Sequence, residues 1–74
     1  MDAAEPQRAL LATLLDAHPK LLEADDLLAS HAHLRYPEAA LRVLLDDGLA
    51  TRLGDLVGAS RAAVRFEALR VSQR

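Results

Sequence analysis

Cysteine and tryptophan are absent from this chain of 74 residues, and one tyrosine and one phenylalanine supply all of its aromatic content. Without cysteine there is neither a disulfide framework nor a thiolate metal site, which fits a reducing cytosol. With only Tyr36 and Phe66 as rings, the core has to be assembled mostly from Leu, Ala and Val, and a Leu/Ala-rich chain favours helix. No apolar run approaches the roughly 18 residues of a membrane span. The opening Met1-Asp2-Ala3-Ala4-Glu5-Pro6 is acidic where a signal peptide is basic. A soluble, cytoplasmic protein is the expectation. Glycine-rich phosphate loops are missing, and Ser30, Ser60 and Ser72 lack a nucleophile-elbow context. A short Leu/Ala helical chain also rarely encloses a water-excluding cleft. The expectation is therefore no enzyme and no cofactor.

What is present is apolar bulk and unevenly placed charge. Hydrophobic residues make up 51% of the chain. The length suits one domain spanning residues 1–74, whose small core would gain burial by self-association. The net charge is −2, yet residues 1–48 hold four basic against nine acidic side chains, net −5, while residues 49–74 hold five against two, net +3. Such asymmetry steers a polyanion toward one end, and it equally suits a dimer of complementary halves.

The hydrophobic spacing divides the chain into helices. Residues 1–5 read as a frayed end. Pro6 suits a first helical turn, and Leu10, Leu11, Leu14 and Leu15 form a two-column stripe on a helix from Gln7 to Ala17. His18-Pro19 closes it, because the residue before proline is pushed out of the helical region. A second, short helix is expected from about Ala24 to Ser30, with Asp25 and Asp26 near its positive end and Leu27 and Leu28 facing inward. His31 to Arg35 forms a turn with Leu34 as an inward plug. Ser60 is placed to cap a last helix from Arg61 to about Val71. On that helix Ala62, Phe66 and Leu69 share one column, expected to be buried with Phe66 as its largest member.

The stretch from Tyr36 to Val57 organises the rest. Pro37 starts a helix, Ala40, Leu41 and Leu44 recur at helical spacing, and Asp47-Gly48 stops it where glycine takes the left-handed conformation. Leu49 follows as a buried anchor. Ala50 to Leu53 and Leu56-Val57 then read as two very short strands joined across Gly54-Asp55. A leucine-rich helix followed by Gly48-Leu49 and a turn containing Gly54 resembles the recognition helix and wing of the winged helix-turn-helix superfamily, including regulators of the multiple-antibiotic-resistance and arsenic-resistance types. The resemblance covers nearly the whole chain. It implies a mainly α fold with a small β-hairpin, in the order helix, helix, helix, wing, helix. It also implies that Leu22, just before the second helix, pairs with the wing. The family commonly has a glycine between helices two and three, and none stands here.

The same resemblance implies a DNA-binding transcriptional regulator, with recognition helix 37–47 in the major groove and wing 50–57 beside a phosphate strand. Candidate contacts are Arg35 and Tyr36 at the helix start, Arg42 on its outer face, Arg52 on the wing, and Arg61 and Arg65 on the last helix. The outward face of the recognition helix also carries Glu38 and Asp46, which approach a phosphate backbone of like sign. Solvated surface charge is the plain alternative for these arginines. Double-stranded DNA and a second copy of the chain are the expected partners, with no membrane contact. A protein-interaction module with little DNA binding is the alternative function. Val43 and Leu45, apolar where polar residues are usual, together with Leu11 and Leu15 on the first helix, are candidate partner contacts, the terminal helices being the pairing elements of many winged helices. His18, His31 and His33 lack the i, i+4 spacing of helical metal ligands, so no metal is expected.

Overall fold

The structure is a computed structural model and describes residues 4–72. Four helices and three short strands follow one another as α1 (Glu5–Ala17), β1 (Leu22–Glu23), α2 (Ala24–Ser30), α3 (Pro37–Asp46), β2 (Ala50–Leu53), β3 (Leu56–Ala59) and α4 (Arg61–Ser72). The chain is mainly helical, with a small antiparallel sheet in the order β1-β3-β2. The helix at the N-terminus starts at Glu5, two residues before the expected Gln7, so Ala4 and Glu5 belong to its first turn and not to a frayed end. Met1 to Ala3 lie outside the described residues.

Leu10 and Leu14, one turn apart on α1, are both fully buried. They meet Leu27 of α2, Ala40, Leu41 and Leu44 of α3, and Ala50 and Val57 of the sheet in one cluster, with Leu11, Leu22, Leu28, Leu45 and Leu49 packed around it. Both rings stay out of this core. It is built from aliphatic side chains alone, which interdigitate at helical and strand spacing without a large flat member.

Two local devices and one long-range pairing fix the order of the elements. At the end of α3 the N–H of Leu49 donates to Leu44 O at 2.9 Å and that of Gly48 to Leu45 O at 3.2 Å, with Gly48 at φ 77°. That pair of hydrogen bonds is the Schellman stop, and it turns the chain straight into β2. The hairpin then reverses across Gly54-Asp55, with Gly54 at φ 62°, the first of the two central positions. Finally, Leu22 pairs with Val57 and Glu23 with Leu56, and the Ala24 N–H donates to Asp55 O at 2.8 Å, so the segment between α1 and α2 becomes the third strand. The central strand β3 runs through Ala59, two residues beyond the expected Val57.

The last helix departs from expectation. The Ala63 N–H donates to the buried Ser60 Oγ at 3.0 Å, so Ser60 caps α4 as its sequence position suggests. That cap sets the helix phase so that Ala63, at 3% exposure, faces the core, with Val64 and Glu67 half-buried beside it. The column of Ala62, Phe66 and Leu69 is rotated away: Ala62 is exposed, Phe66 is 67% exposed and Leu69 52%. Periodicity identified the stripe correctly but not the side that the cap would turn inward.

Candidate functional site

With Ala40, Leu41 and Leu44 buried, α3 turns Glu38, Ala39, Arg42, Val43 and Asp46 outward. Val43 is 36% exposed, whereas Leu45 is half-buried against the core. On α1, Leu11 and Leu15 are likewise half-buried, Leu11 packing on the core cluster. Of the four candidate partner contacts, Val43 is therefore the most accessible.

The start of α3 has unusual backbone. Tyr36 precedes α3 in the left-handed region, φ 54° and ψ 55°, and is the one non-glycine residue with positive φ among those described. A bulky residue there is strained, and the proline that follows disfavours helical backbone at this position as well. No burial compensates, because the side chain is 75% exposed. Strain of about 1–3 kcal/mol held at an exposed position is a mark of functional corners.

Around this corner lies an open, largely apolar groove of about 600 Å³, bordered by the start of α1, the turn after α2 and one side of α3. Pro6, Leu34, Arg35, Tyr36, Ala39 and Val43 lie along it, with Glu5 at its edge. Arg35 and Tyr36 are thus brought together on one surface with Val43. Arg42 projects from the exposed side of α3, and Arg52, Arg61 and Arg65, exposed on the hairpin and on α4, border no part of the groove.

Electrostatically the site is mixed. Arg52 Nε donates to Gly54 O at 2.8 Å, which folds that side chain back over the hairpin turn. On α4, Arg70 Nη2 donates to Glu67 Oε1 at 2.8 Å. The hydrogen bond to Glu67, and then its charge, push the Arg70 guanidinium further up from its already high pKa. The hairpin also ends in an apolar pair, since Leu53 and Leu56 face one another across β2 and β3 at 70% and 36% exposure.

One polar link was not visible in the sequence. His31 caps the C-terminal end of α2 and is half-buried, its Nδ1–H donating to Leu27 O at 2.9 Å while Nε2 lies 3.1 Å from Thr13 Oγ1 on α1. The carbonyl can only accept, so Nδ1 carries the proton. Thr13 and His31 stand 18 residues apart, and no local pattern announces that pairing. His33 stacks near His31 with ring centroids 6.0 Å apart. Among the described residues no three of His, Cys, Asp and Glu converge as metal ligands, and no helix is long and apolar enough to cross a membrane. Comparison with family models, with curated proteins and with solved structures finds no match for this chain.

Proposed function

We propose that this chain is a winged helix-turn-helix module that binds duplex DNA as a transcriptional regulator and acts as a homodimer. In this reading α3 enters the major groove and the β2–β3 hairpin lies beside a phosphate strand. The observation that carries it is the Arg35–Tyr36 corner, a cation and an exposed ring held in strained backbone at the N-terminal end of an outward-facing helix. Nothing in the core needs that ring.

Arg42 is the residue suited to bidentate reading of guanine. Arg35, Arg52, Arg61 and Arg65 contact phosphates, which positions the protein without specifying sequence. Glu38 and Asp46 on the same helix oppose the approach, so affinity depends on the arginine rim and is steeply sensitive to salt. With about four phosphate contacts per chain, each contributing a slope of about −0.9, binding weakens roughly 150-fold for a single chain, and roughly 20,000-fold for a dimer with both chains engaged, between about 50 and 200 mM salt. Fluorescence anisotropy on a random-sequence duplex at both salt levels tests this. Arg52→Ala and Arg61→Ala should each lower the slope by about 1 per bound chain on any sequence. A folded protein that binds no duplex at the lower salt removes the reading.

The Leu53–Leu56 pair favours a second reading, a protein-interaction module. An apolar hairpin tip gains nothing beside phosphate but is suited to burial against another protein. Replacing Leu53 and Val43 with serine then abolishes partner binding in the folded domain, while a duplex-binding protein keeps its affinity for random DNA.

A further inference from the structure

We propose that the Thr13–His31 contact positions the Arg35–Tyr36 corner, so that a half-buried threonine on α1 governs how the start of α3 is presented. Its effect on affinity rests on the duplex-binding reading, whereas its effect on the corner does not. Six residues, His31 to Tyr36, link α2 to α3, and none of them is glycine. Turns commonly take their shape from glycine's freedom at positive φ. Here that conformation falls on Tyr36, whose side chain disfavours it. Strained backbone persists only where the surroundings over-determine it, and the exposed tyrosine ring supplies no such hold.

Downstream the corner is fixed by the helix itself, the Ala40 N–H donating to Tyr36 O at 3.1 Å. Upstream, His31 is the anchor. Its Nδ1–H donates to Leu27 O at 2.9 Å, and its N–H donates to Leu28 O at 3.2 Å. Its carbonyl accepts the Leu34 N–H at 2.9 Å, which closes the turn one residue before Arg35. Its Nε2 lies 3.1 Å from Thr13 Oγ1 and, with the proton on Nδ1, is the acceptor for that hydroxyl. Of these bonds, the one to Thr13 alone leaves α2 and the link.

Thr13 suits the task. Its oxygen also lies 3.2 Å from Ala9 O, the back-bonding orientation of a helical threonine, which fixes where the hydroxyl sits on α1. Leu34, half-buried along the groove, adds apolar contact to the same turn. Apolar contact is non-directional and lets the turn slide, whereas a hydrogen bond at each ring nitrogen sets its orientation.

Two conservative variants test the tie. Thr13→Val removes the hydroxyl at nearly constant volume, and Thr13→Ser keeps it. In isotope-labelled protein, Thr13→Val should displace the amide resonances of residues 31–36 and speed exchange of the Leu34 amide roughly 10-fold. The Gly48 and Leu49 resonances, at the far end of α3, should stay in place. Affinity of the folded Thr13→Val protein for a random-sequence duplex at low salt should fall roughly 3-fold to 10-fold, as the competent corner becomes less populated. Thr13→Ser should match the unsubstituted protein in both readouts. Unmoved resonances at 31–36 in Thr13→Val overturn the proposal, and so does an equal displacement in Thr13→Ser. Unchanged affinity in a Thr13→Val protein whose corner has moved overturns it as well. Should the unsubstituted protein bind no duplex, the duplex-binding reading falls and the resonances alone decide the positioning.

Discussion

Leu22 lies directly opposite Val57, an antiparallel pairing that joins the link between α1 and α2 to the hairpin that follows α3. Val57 is fully buried, so this contact locks the sheet onto the helices at the centre of the core. Val57→Ala is expected to cost about 2 kcal/mol from lost burial and the cavity left behind. In a domain of this size that lowers the melting temperature by roughly 8–16 °C. Thermal unfolding followed by circular dichroism checks it, and a shift below a few degrees would show that the sheet is not part of the cooperative core.

The Ser60 cap controls which face of α4 meets the body. Ser60→Ala leaves the Ala63 N–H without its partner and is expected to cost about 1 kcal/mol. Because Phe66 is already exposed, Phe66→Ser on the monomer should shift stability by less than about 0.5 kcal/mol. Urea titrations of the two variants should therefore rank opposite to side-chain size, with the small serine change the more damaging one.

Tyr36 tests whether backbone strain serves a purpose. Asparagine tolerates the left-handed region better than tyrosine, and little packing is lost from a side chain that is 75% exposed. Tyr36→Asn is expected to raise stability by up to about 1 kcal/mol and to weaken duplex binding at the same time. A gain in stability with no loss of binding would assign the corner to something other than DNA.

The Thr13–His31 contact is a polar tie between α1 and the C-cap of α2. Losing one such hydrogen bond costs about 0.5–1.5 kcal/mol. Thr13→Val should destabilise by that order and His31→Ala by more, since it also removes the bond to Leu27 O, and the double variant by less than the sum, because both singles break the shared link. A double-mutant cycle by chemical denaturation measures the coupling.

Much of the architecture was legible because it is written in local chemistry. Pro37, the Asp47-Gly48 stop, Gly54-Asp55 and Ser60 each act on neighbouring backbone, and the elements they bound begin or end where those residues stand. The sheet partner Leu22 required the superfamily resemblance, since a two-residue strand has no periodicity of its own. The burial of α4 was misread because Ala62, Phe66 and Leu69 form a regular stripe, and a stripe shows only that one side is apolar, not that the body covers it. The groove beside Tyr36 was likewise invisible, because three separate segments build it. Among the candidate partner residues, Leu45 rests on the core while Val43 opens to solvent, a difference of two positions on one helix that only the packing of α3 resolves.

Duplex binding through α3 is examined most directly by titrating isotope-labelled protein with a random-sequence duplex at low salt and following the backbone amide resonances. Shifts concentrated at residues 35–46 and in the 50–57 hairpin, reversed when salt is raised, are the predicted result. A spectrum that stays unchanged at saturating duplex, or that shifts only at residues remote from both segments, would contradict it.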